Sequence, residues 1–440
     1  MALCLGLVLV TGVSCNKNPF PKRPTQQGQG GGNKETPETP TLPTDPDELF
    51  ASDIFQRFVD PSGVVSYYLK SEAIGKDNSQ SIYYIGTEMS NDERFVFALT
   101  STNEWSGKPQ EKHGVIIDLL TRKMYTFPGN TGCYPHLDPE EDKLYYCVRA
   151  SDRASAQFYR RDLLVDPGHT IELAAFPQSI VPKGSTKPIG RMLNHITLTS
   201  DKKKVFIDSH ILDSFIWGML DLYTGEWEEW GRSYEENVTH GQINPKHDNE
   251  VLCAIDTWTD SQGVDHPMVT DPDGTCRRMQ FVKQNYMKTI MPSDENGATH
   301  EGWTADGDHV YFCGHGINVR NVRTGAYQRV LLTNLSKEQA THCHPTKDMK
   351  YWTFDDAYPD FYRGGRWKVR FLNTLTGKQA YIYNMRPAIT TKDKPSTLHP
   401  DPHPHFVCND KYIICTVAGD DGNLHLSITP VDQLIKMTSN

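Results

Sequence analysis

The stretch THEGWTADGDHVYFCG (299–314) reads as a short strand, a turn carrying Asp306 and Gly307, and a second strand rich in Val, Tyr and Phe. The same order returns in YYIGTEMSNDERFVFAL (83–99), YPHLDPEEDKLYYCV (134–148), LNHITLTSDKKKVFID (193–208), THGQINPKHDNEVLCA (239–254), THCHPTKDMKYWTFDD (341–356) and HPHFVCNDKYIICTV (403–417). Seven units about 40 to 60 residues apart mark a repeat, and helix-period patterns nearly vanish after Glu48. Outer hairpins follow, as in IDLLTRKMYTF (117–127), LDLYTGEWEEW (220–230), VRNVRTGAYQRV (319–330) and FLNTLTGKQAYI (371–382). Four strands per unit and seven units predict an all-β chain folded as a seven-bladed β-propeller, ahead of a pair of β-sandwiches. A strand at 64–69 would complete the last blade, joining the chain ends so that the ring has no open edge.

Composition agrees with a large folded domain. The 440 residues are 37% hydrophobic and 23% charged, which excludes disordered and collagen-like classes and allows a sizeable core. The net charge is −10 with no sustained Lys/Arg run, so the long-range field does not favour nucleic acid or an anionic membrane. An anionic substrate would need a local positive site. The unusual count is 17 histidines, for which a merely structural β-rich chain has no obvious need.

The first 15 residues, MALCLGLVLVTGVSC, are an apolar run too short for an ordinary membrane-spanning helix and read as an export signal. Cys15 suits the lipidated first residue of a bacterial lipoprotein of the outer membrane or periplasm. No Lys or Arg precedes the run, however, and Gly12 stands where such signals usually carry Leu. Residues 16–48, rich in Pro, Gly, Thr and Gln, form a flexible linker, leaving 49–437 for the propeller. Membrane contact is expected only through the lipid anchor, and the chain is expected to be a monomer. The cysteines from 133 onward show no CxxC pair, which suits buried apolar residues.

Histidine recurs in register. His136, His195, His300, His342 and His403 each lie six residues before the turn residue of the unit, and His240 holds the matching place in the fourth. The first unit has Gly86 or Glu88 nearby instead. The first strand of a blade is innermost, so six imidazoles should line the central funnel. Neutral imidazole suits borderline transition metals. His403 and His405 alternate along one presumed strand and so should share a face; with His300 they make a three-ligand site. His342 and His344 form a second such pair, and His399 is a further candidate. Trp303, three residues after His300, is placed to stack on a sugar.

The units THEGW (299–303), THGQINP (239–245) and HPHF (403–406), in this blade order, resemble those of the oligogalacturonate lyases, seven-bladed propellers that cleave uronate oligosaccharides by β-elimination. The resemblance spans roughly residues 80 to 435 and implies a divalent metal, manganese ahead of zinc or calcium, held by His300, His403 and His405. Pro400 stands where the family carries a further glutamine ligand, which leaves His342, His399 or water for that place. It also implies that His240 lies in the substrate cleft. The family's catalytic arginine would fall near Ile216 and Trp217, where there is none; Arg191 and Arg232 are the nearby cations. Similar propeller lyases acting on glucuronate next to rhamnose, ulvan lyases included, use His and Tyr as acid and base, which implies those parts for His195, His240 or His136.

Elimination removes the proton on C5 beside a carboxylate, which becomes acidic enough once a cation offsets the carboxylate's charge. A base near neutral pKa takes that proton and an acid protonates the departing C4 oxygen. The expected catalytic set is therefore His195, His240 and Arg191, the substrate-binding set His136, Arg232 and Trp303, and the metal set His300, His342, His403 and His405. The expected substrate is an acidic oligosaccharide of pectic or rhamnose-glucuronate type. A non-catalytic glycan-binding propeller is the alternative, followed by a protein-interaction propeller. No pair of carboxylates recurs at funnel positions as glycoside hydrolysis would require.

Overall fold

The computed structural model describes residues 41–50, 52–76, 78–102, 112–128, 133–256, 258–259, 265–266, 278–282, 285–289, 299–314, 316–333, 340–356, 366–387 and 401–439. The export signal with Cys15, residues 16–40 of the linker, and His399 with Pro400 lie outside them. From Thr41 onward the chain forms one compact unit.

Six sheets are four-stranded and antiparallel, made in chain order by residues 78–128, 136–175, 189–233, 237–289, 299–332 and 343–387. In each, order in sequence is order in space, so one edge is always the first strand. The chain is thus an all-β propeller with six regular blades, which corrects the expectation of seven equivalent four-stranded units. The last repeat belongs instead to a five-stranded sheet, in which Val65–Leu69 and then Phe55–Val59 extend Leu424–Pro430, Tyr412–Ala418 and His405–Val407. The reason is an edge: Leu424–Pro430 would end the sheet with open backbone groups, and Tyr67 and Tyr68 pair with Ile428 and Ser427 instead. The strand expected at 64–69 is therefore present, with one more beyond it. Against expectation, Val431–Ser439 is a helix, whose Leu434 packs with Trp367 and Val369.

Each sheet is covered on both faces by its neighbours, so Tyr412–Ala418 is buried at every position and reads as a continuous apolar run. The core is a circuit of interfaces. Phe97 and Phe127 pack with Leu144 and Tyr146, Tyr145 with Ile207, and Phe206 with Val251. Leu252 then meets Val310, Tyr311 meets Trp352, Phe371 meets Ile413, and Ile414 returns to Val96 of the first sheet.

Two turn chemistries space the strands. Between first and second strands a hydroxyl donates to an Asp two residues on: Ser90 to Asp92, Thr199 to Asp201, Thr304 to Asp306 and Thr346 to Asp348, at 2.6 to 2.9 Å. Between third and fourth strands, Gly225, Gly325 and Gly377 take φ of 71 to 76°, open to glycine without steric cost, and Arg122 takes φ 56° in the first sheet.

Candidate metal centre

Three of the in-register histidines have left-handed backbones: His240 at φ 56°, His300 at 54° and His403 at 48°. For His240 and His300 the cause is a bulge, since the ladder shifts register between Thr239 and Gln242 and between Thr299 and Gly302. Bulges re-aim side chains, and non-glycine residues in this region cost roughly 1 kcal/mol each. The rings converge on a residue that the histidine register did not reveal. Tyr83 lies 4.7 Å, centroid to centroid, from His195, 5.5 Å from His240, 6.5 Å from His300, 6.2 Å from His342 and 4.8 Å from His403. In the first unit Gly86 holds the histidine register, and Tyr83, three residues earlier, supplies a ring among the histidines instead. His136 stands apart, opposite Tyr145, with burial lowering its pKa to about 4.

Beside Tyr83, ligand atoms of His342, Asp401 and His403 all lie within 4.8 Å of one another. Asp401 Oδ2 is 4.0 Å from Nε2 of both histidines, whose rings are 4.3 Å apart. His300 adjoins, 4.2 Å from the His342 ring. Two imidazole nitrogens and a carboxylate oxygen form a donor set that suits a divalent transition metal. Asp355 supports it: Oδ2 lies 2.7 Å from His342 Nδ1, Oδ1 accepts the His342 backbone N–H at 2.8 Å, and the His403 N–H also bonds this carboxyl. This carboxyl, pushed well above the usual carboxylate range by burial, holds the His342 ring by Nδ1 and leaves Nε2 facing Asp401. Burial pushes His342 down to about 3, so it is the neutral form that a metal requires. Asp401 is the candidate ligand that the sequence reading missed; it is one residue beyond Pro400, two before His403.

His405 lies beside the donor set. Its Nδ1–H donates to the His403 carbonyl at 2.8 Å and its Nε2 is 2.5 Å from Glu88 Oε2, so both nitrogens are engaged. The expected alternation from His403 fails because His403 precedes the strand His405–Val407 and is left-handed. His344 also takes another part, with Nδ1 accepting the Phe406 N–H at 3.2 Å.

His195 contacts both Tyr83 and Tyr134, whose rings are themselves 6.3 Å apart, and neither of its ring nitrogens has a hydrogen-bond partner among the described residues. Burial, with His240 and Arg191 nearby, drives its pKa well down, so it is neutral. Half-buried His240 has Nδ1 3.8 Å from buried Glu301 Oε1. Burial, with a small contribution from Asp401, raises Tyr134 to about 12, so it keeps its proton.

The two expected arginines are engaged elsewhere. Arg191 donates to the Asp208 and Val238 carbonyls at 2.9 and 2.8 Å and to Asn237 Oδ1 at 3.1 Å, clamping the third sheet to the fourth. Arg232 is exposed on the outer strand Trp227–Ser233, paired with Glu229. Trp303 donates to the Gln242 carbonyl at 3.0 Å and lines a cavity of about 300 Å³ with Tyr311, His344 and Phe406. Most of that cavity's lining comes from residues further along the inner segments than the histidines, such as Thr197, Gln242 and His344.

Fold and site together define a β-propeller with an axial histidine–carboxylate centre. By sequence the chain matches no family model and no curated protein. By structure it is similar to an oligogalacturonate lyase in complex with manganese, with TM-score 0.62 and 16% identity over 88% of this chain and 97% of that one. It is also similar to the oligogalacturonate lyase from Vibrio parahaemolyticus, with TM-score 0.59 and 15% identity over 86% and 96%. At these identities the likeness establishes the propeller fold.

Proposed function

We propose that the protein is a lyase that cleaves a uronate-containing oligosaccharide by metal-assisted β-elimination, leaving a 4,5-unsaturated uronate. The same reading takes the five-stranded sheet as a seventh blade that closes the ring. The observation that carries the proposal is the convergence on Tyr83: its ring adjoins both the His342 and His403 of a donor set for a divalent cation and the neutral His195. His342, Asp401 and His403 would hold the cation, with His300 adjoining; bound there, it would offset the substrate carboxylate and make the C5 proton removable. A ring nitrogen of His195, with no hydrogen-bond partner among the described residues, is placed to accept that proton; burial keeps the imidazole neutral but weakens it as a base, so the cation's acidification of C5–H is essential. A proton for the departing C4 oxygen is available from Tyr83 or from His240. Manganese is the first metal to try, because one structural relative is a manganese complex.

Purified protein with Mn2+ is expected to generate the ultraviolet absorbance of an unsaturated uronate from at least one of pectic, glucuronan and rhamnose-glucuronate oligosaccharides. Chelation should abolish it and Mn2+ restore it. His195→Gln should lower kcat about 100-fold or more while leaving Mn2+ binding intact. Binding of these glycans with no new absorbance sinks the lyase and leaves a glycan-binding propeller, a reading favoured by the engagement of Arg191 with backbone carbonyls.

A further inference from the structure

The first unit carries no histidine in the shared register, and its inner segment contributes a buried acid instead. Glu88 and His405 are both fully buried, 317 residues apart in sequence, and join the first sheet to the five-stranded one. Glu88 Oε1 accepts the backbone N–H of Ile82, the residue before Tyr83, at 2.8 Å, and Oε2 holds His405 Nε2. His405 Nδ1–H then donates to the carbonyl of His403 at 2.8 Å. That carbonyl follows the left-handed residue whose ring enters the donor set, so its direction fixes where the ring points.

We infer that Glu88 and His405 are positioning residues for the metal centre, holding the His403 backbone in its left-handed conformation without ligating the ion. The inference rests on the metal reading above. It accounts for a histidine in the ligand run with both nitrogens engaged, and for the buried acid two residues beyond Gly86 in the one unit without a histidine in register. A left-handed non-glycine residue persists only where its surroundings over-determine it. A carbonyl held by an imidazole, itself held by a buried carboxyl, is such a constraint.

The test is calorimetric titration of Mn2+ into the metal-free full chain, comparing wild type, Glu88→Gln, His405→Gln and the double variant. Each single change should weaken Mn2+ binding about 10-fold or more, with the double no weaker than the worse single, because both act through one bond to His403. Additive losses, or a His405→Gln loss far larger than that of Glu88→Gln, would show His405 to be a ligand and overturn the inference. So would variants with a lowered melting temperature whose folded fraction binds Mn2+ like wild type, which is the outcome of a merely structural pair. Glu88→Asp, which keeps the carboxyl, should recover part of the affinity and stands in if Glu88→Gln does not fold. A wild-type chain that binds no Mn2+ removes the metal reading and this inference with it.

Discussion

At the scale of the residue, the unusual backbones and buried charges decide what the histidines can do. His195 and His342 are both held neutral by burial, yet His195 has neither ring nitrogen hydrogen-bonded among the described residues while His342 Nδ1 meets Asp355, although both occupy the same register. The same physics leaves a liability at Asp142, a buried carboxyl at φ 51°. Burial, with Asp92 adding, raises its pKa from 3.8 to about 6. A raised carboxyl favours the native state when protonated, so its contribution is fully present below the unfolded value and is lost as pH rises through about 6. Asp142→Asn is therefore expected to raise stability at pH 7 by on the order of 1 kcal/mol and to flatten the pH dependence of the melting temperature between about 4 and 6. A melting temperature at pH 7 that falls on this substitution would refute the account.

At the scale of the element, inner strands and second strands cooperate. Asp208, on Lys204–Ile211, accepts the Asn194 N–H at 3.0 Å with one oxygen and the Gly241 N–H at 3.0 Å with the other. Those amides adjoin His195 and His240, so one carboxyl registers two histidines on neighbouring sheets. Asp355 does the same for His342 and His403, and each acid lies 13 residues after the first histidine of its pair. Asp208→Ala leaves two buried N–H groups without an acceptor and should cost about 3 kcal/mol, read by denaturant unfolding. Loss of only a few tenths would mean that water replaces the carboxyl. The spacing is visible in the sequence, but its purpose is not, because each amide pair spans two sheets.

At the scale of the whole molecule, the circuit of apolar interfaces depends on both chain ends. Tyr67 and Tyr68 zip onto Ile428 and Ser427, and Ser66 meets Thr429 through their hydroxyls at 2.8 Å. Removing residues 1–70 exposes the edge Leu424–Pro430 and bares Ile414 and Leu426, which pack with Phe50, Phe55 and Tyr67. The truncated chain should lose its cooperative unfolding transition and aggregate, whereas a soluble product with one sharp transition would show that the ring does not need this closure.

The sequence by itself determined the repeat, the all-β class, the strand that joins the chain ends and the register of six histidines, because strand alternation and turn chemistry are local and recur. Tertiary structure alone decided which histidines meet. It set His136 apart, turned His405 onto Glu88, brought Asp401 into the donor set and put Tyr83 at the centre of five rings. It also drew Arg191 into the wall. A ring gathers one short segment from every sheet at its axis, so each side chain's neighbours there come from repeats scores of residues apart, and left-handed residues override the alternation that sequence spacing assumes.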